Sequence, residues 1–244
     1  GQPRPSYSIN KTKRKLKKRQ LNLIILSALL LLVSCARMGN PDGGWYDDTP
    51  PRIISTYPKE KATNVKEQKV TISFDEFIKL EDATNKVIVS PPQLEMPEIK
   101  AAGKNIVVEL KDTLKERTTY TIDFSDAISD NNENNPMGNY TYCFSTGTEI
   151  DTFEVAGTVL DASNLEPIKG IMVGLYDDLS DTVFKSKPLM RISRTDSRGK
   201  YIIRGVAPGK YRVYALNDVD GDFKFSQRSE MIAFGTQTYE PSCG

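Results

Sequence analysis

Residues 69–78 read KVTISFDEFI. Val70, Ile72 and Phe74 alternate with Thr71, Ser73 and Asp75, a period of two that sets three apolar side chains on one face of a strand and polar ones on the other. The same alternation recurs downstream. Ile106, Val108 and Leu110 alternate with Val107, Glu109 and Lys111, and Tyr120, Ile122 and Phe124 with Thr121, Asp123 and Ser125. Tyr140, Tyr142 and Phe144 repeat it near residue 147. Pro, Gly, Asn or Asp breaks each run, as turn chemistry requires between short strands. Helical periodicity is scarce after residue 35. The pattern predicts an antiparallel β-sandwich over residues 50–147.

A second strand-rich unit follows over residues 152–244. FEVAGTVLDASNLEPIKGIMVGLYD reads as strand, polar loop and strand, with Pro167 and Gly170 at the turn. In RTDSRGKYIIRGVAPGKYRVYALND, Tyr211, Val213 and Ala215 share one face while Arg212 and Tyr214 take the other. Gly199 and Gly209 are expected to supply turn conformations that side chains resist. The fold class is therefore all-β, two consecutive antiparallel β-sandwich domains, each of about 90 residues and able to bury a core.

Both units carry a resemblance. TPPRIISTYPKEKATNVKEQKVTISFDEFI and LKERTTYTIDFSDAISDNNENNPMGNYTYCFSTG are similar to the opening and close of bacterial Ig-like domains of the S-layer-protein (SbsA) type. The shared features are the Pro-Pro lead, the strand ending in Phe-Asp-Glu, the Thr-Tyr strand and the closing Phe-x-Thr-Gly. Thr195, Asp196, Gly199, Tyr201, Ile203, Val206, Pro208, Gly209, Tyr211, Val213 and Ala215 fall on the pattern of the peptidase-regulatory-like, or transthyretin-like, sandwich.

The N-terminal segment carries a different signal. Arg4, Lys11, Lys13, Arg14, Lys15, Lys17, Lys18 and Arg19 form a basic arm free of acidic residues, and LNLIILSALLLLV follows from Leu21. That is the n-region and h-region of a secretory signal, and the run is too short for the roughly 20 apolar residues of a membrane span. Leu32-Val33-Ser34-Cys35 resembles the bacterial lipobox. The resemblance implies cleavage after Ser34 and acylation of Cys35, so that residues 1–34 are the signal peptide and residues 35–49 a lipidated Cys with a flexible tether, which includes Trp45 and Tyr46. With Ig-like and regulatory-like domains in this order, the chain resembles envelope lipoproteins of the Bacteroidota type. The implied location is the outer membrane of a Gram-negative bacterium. Ala36-Arg37-Met38-Gly39-Asn40 lacks the acidic residues that such surface lipoproteins often carry after the Cys, which points to the periplasmic face.

Composition limits the chemistry. Removing residues 1–34 takes away eight of 33 basic residues and none of 32 acidic ones, leaving a net charge of about −7. That balance argues against a nucleic-acid partner. Histidine is absent from the sequence, which removes Ser-His-Asp and Cys-His nucleophile systems and His-based zinc sites from these residues. Of three cysteines, Cys143 lies in a strand-like stretch and is expected to be a buried free thiol, with Cys243 near the last residue.

Three acidic features invite a site. Asp218, Asp220 and Asp222 in NDVDGD follow the first half of an EF-hand loop, whose alternate carboxylates converge on calcium. The match then weakens, because Phe223 stands where that loop needs Gly and Ser229 where it needs an acid, with Glu230 one step late. Asp130 to Asn135 is acid- and amide-rich, but Asn and Asp also build turns. Asp75-Glu76 offers the two carboxylates of a glycosidase, yet neighbours on a strand point to opposite faces. Tyr201, Tyr211 and Tyr214 are expected in the core or on a sheet surface. No catalytic residue is assigned and no cofactor beyond a candidate calcium. The expected function is a non-enzymatic envelope module, fastened to the membrane through Cys35, that binds or spaces a protein partner. The alternatives are a glycan-binding component, since the regulatory-like fold is linked to sugar binding, or the accessory part of a longer enzyme.

Overall fold

The computed structural model describes residues 47–241. The signal region, Cys35, Trp45, Tyr46 and Cys243 lie outside the described residues.

The first sandwich is built as the alternation requires. Its strands are β1 (Ile53–Tyr57), β2 (Lys69–Phe74), β3 (Ile78–Leu80), β4 (Ile88–Ser90), β5 (Glu98–Ala102), β6 (Asn105–Glu109), β7 (Thr119–Ser125), β8 (Ile128–Asp130) and β9 (Tyr140–Ser145). One sheet runs β1-β2-β6-β5 and the other β4-β7-β9, with β3 and β8 as a two-stranded ribbon, and all pairings are antiparallel. Val70, Ile72, Phe74, Ile106, Val108, Leu110, Tyr120, Ile122, Phe124, Tyr142 and Phe144 are all buried in one core, as the period of two predicts. Tyr120 and Phe144 stack within it, ring centres 5.2 Å apart. The Asn135 side-chain amide donates to the carbonyl of Asp47 at 2.7 Å, which ties the segment just before β1 to the β8 turn.

The second sandwich contains β10 (Phe153–Thr158), β11 (Met172–Tyr176), β12 (Arg191–Arg194), β13 (Lys200–Val206), β14 (Arg212–Leu216) and β15 (Ile232–Phe234). β10 pairs with β13, facing a sheet of order β12-β11-β14-β15. Val155, Ile203 and Val206 pack against Val173, Leu175, Tyr211 and Val213. Tyr214 points to the other side, as predicted, and there it is covered too. Residues 177–190 fold back over the outer face, so Val183 and Leu189 pack on Met172, Tyr176 and Tyr214. β11 is consequently buried on both faces, which is why MVGLY is uniformly apolar and not alternating.

The glycines divide into two kinds. Gly199 has φ of +68°, the left-handed region expected of it. Gly209 does not adopt a positive φ. A β-carbon there would lie 3.1 Å from the Tyr211 hydroxyl, a tight contact that the tyrosine ring would have to relieve by a few tenths of an ångström.

The two sandwiches meet along a buried polar seam. Arg191 on β12 is 5% exposed, and its Nη1 donates to the Ser90 carbonyl on β4 at 3.3 Å. Ser90 Oγ accepts from the Ile192 backbone N–H at 3.1 Å, and Arg194 Nη1 donates to the Asn85 carbonyl at 2.7 Å. In the connection between domains, Asp151 N–H donates to Thr119 Oγ1, which donates back to the Asp151 carboxylate, at 2.8 and 2.9 Å. Gly205, at φ of +68°, brings β13 against β7, where a β-carbon would stand 3.1 Å from the Thr121 methyl. Ile88 of the first sandwich packs on the outer core of the second. Burial pulls the Arg191 pKa down to about 10, against the opposing pull of Asp151, Tyr211 and Tyr120. Among the described residues no helix is long and apolar enough to cross a membrane.

Candidate functional site

The loop between β14 and β15 gathers four carboxylates. Asp218, Asp220 and Asp222 lie together as their spacing predicts, and Glu230 joins them, with one oxygen from each within 4.8 Å of the others. Calcium holds oxygen ligands at about 2.3–2.6 Å, so two ligands on opposite sides of it stand about 4.8 Å apart. The cluster is compact enough to fit within one coordination shell, and the donors are the hard oxygens such an ion takes.

Backbone geometry explains how the loop closes despite its departures from the calcium-loop pattern. Asp218 accepts from the N–H groups of Gly221 at 2.9 Å and Phe223 at 3.1 Å. Phe223 has φ of +60°, the conformation that the missing glycine would take readily. Its ring packs against the outer core of the second sandwich, and that burial offsets the backbone strain. Glu230, 4% exposed, accepts from the N–H groups of Ser226 at 2.9 Å and of Val219 and Gln227 at 3.3 Å. Asp220 accepts from Ser226 Oγ at 3.0 Å and Gln227 Nε2 at 3.1 Å.

The electrostatics reflect this crowding. Burial raises the Asp218 pKa, its two N–H donors oppose the rise, and the charges of Asp222 and Glu230 add to it. Burial also acts to raise the Glu230 pKa, but the donors Ser226, Val219 and Gln227 outweigh it and leave the value low. Lys224, 3.5 Å from Asp222, offsets part of the charge. Glu230 was missed as a ligand because it lies one place beyond the twelfth position, and loop curvature moves it back into range.

The other sequence candidates have different fates. Asp130 is fully buried, and its carboxylate accepts from the N–H groups of Asn132 at 2.8 Å, Glu133 at 2.6 Å, Asn134 at 3.1 Å and Asn135 at 2.5 Å. Burial raises its pKa, and the four donors outweigh that and lower it. Both oxygens are committed to shaping the turn. Asp75-Glu76 lies in a bend after β2 and not on the strand. Asp75 there accepts from the Arg52 N–H at 2.8 Å. Burial raises the Glu76 pKa, and the neighbouring Asp130, Asp75, Asp47 and Glu133 add to the rise. Tyr201, Tyr211 and Tyr214 are buried at 8%, 4% and 3% exposure, so they form no sugar-stacking face. Cys143 is a free thiol, half-buried and not fully so. Burial raises its pKa, with the charge of Glu60 adding to the effect.

One comparison with known proteins falls on the first sandwich. The family model described as a bacterial Ig-like domain matches residues 47–146. Among solved structures, the N-terminal part of the bacterial S-layer protein SbsC is similar at 17% identity and a TM-score of 0.28, over 76% of this chain and 44% of that one. The chain thus spans under half of that structure. An L,D-transpeptidase from Mycobacterium smegmatis is similar at 14% identity and a TM-score of 0.27, over 65% and 77% of the two chains. BcpA, the major pilin subunit of Bacillus cereus, is similar at 12% identity and a TM-score of 0.22, over 80% and 66%. No curated protein gives a significant match. The matched segment, residues 47–146, coincides with the antiparallel strands and buried core of the first sandwich, which is therefore similar to a bacterial Ig-like domain.

Proposed function

We propose that this chain is a non-enzymatic module of the cell envelope, fastened to the outer membrane by lipid on Cys35, that works as a stiff spacer carrying docking surfaces for a protein partner. The observation that carries the reading is the seam at Arg191. Burying a guanidinium between two domains costs desolvation energy that only fixed hydrogen bonds offset, so an arrangement with Arg191, Ser90, Asp151 and Thr119 interlocked favours one relative orientation. A spacer needs that property, because a jointed pair would not hold a partner at a set height.

The test uses the natively processed protein. Mass spectrometry reads a diacylglyceryl group on Cys35, and Cys35→Ala releases the chain from membranes. Spin labels at the exposed positions Lys66 and Glu166 give one narrow distance distribution. A free thiol at Cys35 removes the anchor, and a broad distribution removes the spacer.

The acidic loop is assigned calcium on the strength of Glu230 completing a four-carboxylate set. Bound there, calcium would tie the β14–β15 connection, and Phe223 with it, to the sheet. Isothermal titration with calcium chloride is expected to show one site. An absence of heat at millimolar calcium refutes it.

A further inference from the structure

Three buried side-chain polar atoms lack a hydrogen-bond partner among the described residues: Ser129 Oγ, Gln93 Oε1 and Arg194 Nε. A buried group left unpaired is costly and calls for a reason. Two of the three belong to side chains that line one groove between the sandwiches. That groove holds about 540 Å³, a volume ordinary for a ligand site. Met96 and Ile99 line it from the first sandwich, Met172 and Ile192 from the second, and Asp218 and Asp220 of the acidic loop join them.

The two unpaired atoms are of opposite kind. Gln93 is 6% exposed, and its Nε2 donates to the Pro91 carbonyl at 3.4 Å. That bond fixes which end of the amide is the oxygen, so the atom left over is an acceptor. Arg194 spends Nη1 on the Asn85 carbonyl, which leaves its Nε–H as a donor. A peptide backbone answers both, because its N–H donates and its C=O accepts. An acyl chain supplies neither bond. A sugar would meet mostly aliphatic and thioether surface, and the Phe223 ring on which it could stack is packed on the outer core of the second sandwich.

The lining also selects side chains. Met96 and Met172 adapt to apolar groups of many shapes. Leu94, Met96 and Val219 are 70%, 72% and 59% exposed, apolar surface that a partner would cover. The acidic loop attracts a cation, since four carboxylates outnumber the two charges of a calcium ion.

We propose that this groove docks a short extended peptide of the envelope partner, in which an apolar residue neighbours a Lys or Arg. The assignment rests on the reading of the chain as a docking module and names what that module takes. The peptide backbone donates to Gln93 Oε1 and accepts from Arg194 Nε. Both atoms are buried, so binding turns the ends of these two flexible side chains toward the peptide. The apolar residue enters between Met96 and Met172, and the cation faces Asp218 and Asp220. The two walls belong to different sandwiches, so the groove keeps its shape only while the seam at Arg191 holds.

The experiment is ε-methyl NMR of methionine in the processed protein in lipid nanodiscs, with Met96 and Met172 assigned through Met96→Leu and Met172→Leu. The probe is the capped peptide acetyl-Gly-Leu-Leu-Lys-amide, which is expected to shift both signals saturably. Ser in place of both Leu abolishes the shifts, and Glu in place of Lys weakens binding about fivefold or more. Gln93→Met is similar in size and removes the unpaired oxygen. It is expected to weaken the peptide about fivefold or more and yet to raise the melting temperature of the protein alone, followed by loss of the Met172 signal. A purely structural Gln93 would give a fall in melting temperature instead, and that result overturns the proposal. So do signals that the peptide leaves unmoved, shifts that the Ser peptide reproduces, binding that Gln93→Met leaves unchanged, or shifts produced by chitotetraose and not by the peptide. The spacer reading is decided separately by the distances between Lys66 and Glu166.

Discussion

Arg191 of the second sandwich donates from Nη1 to the Ser90 carbonyl of the first, 3.3 Å away, with both residues buried. The bond crosses from one domain's edge strand to the other's, and it makes the stability of either domain depend on the other.

That dependence is measurable. Arg191→Ala leaves the Ser90 carbonyl and the nearby Asp151 without their buried partner, and costs about 3 kcal/mol or more. Arg191→Met keeps the packing volume and costs less. In urea the wild type unfolds in one transition, while Arg191→Ala separates into two, read by fluorescence and circular dichroism together.

Gly174 tests the covered face of β11. A β-carbon there would stand 2.6 Å from the Arg191 carbonyl and 2.7 Å from a Leu189 methyl. Gly174→Ala therefore destabilises by about 2–3 kcal/mol through overpacking. Gly170, whose β-carbon would meet nothing within 4 Å but whose φ is +82°, loses only about 1 kcal/mol on change to Ala. Thermal melts rank the two.

The cover over that face responds to acid. The Lys187 ammonium, with the Ser180 N–H, holds the Asp178 carboxyl down at about 2, and the ion pair is 2.8 Å long. A depressed acid adds stability above its unfolded pKa of about 3.8 and loses it as pH falls from there through 2. Hydrogen exchange in residues 177–190 is expected to quicken across that window. Asp178→Asn removes the dependence.

Calcium affinity depends on the late acid. Glu230→Gln keeps the side chain's shape and removes one charge from the ligand set, and calorimetry should show binding at least tenfold weaker. The calcium-induced rise in melting temperature shrinks as well, since a ligand that binds only the folded chain stabilises it by RT ln(1 + [L]/Kd).

The strand faces of the first sandwich were legible because alternation is local: Val70, Ile72 and Phe74 declare the core face within six residues. The first three carboxylates of the acidic loop were legible for the same reason. Glu230 was not, because its place depends on how residues 223–229 curve. The roles of Gly209 and of Asp130 also escaped the reading, since one depends on where the Tyr211 ring lies and the other on backbone N–H groups gathered by a turn.

By itself the sequence determined that this protein is all-β, with two cores of period-two strands and the turns between them, because burial and backbone sterics act over a few residues at a time. Only the tertiary structure decided that the two sandwiches lock through Arg191 and that β11 is covered on both faces. Those outcomes come from residues about 100 positions apart meeting in a space too tight for water, and no local pattern encodes which surfaces will meet.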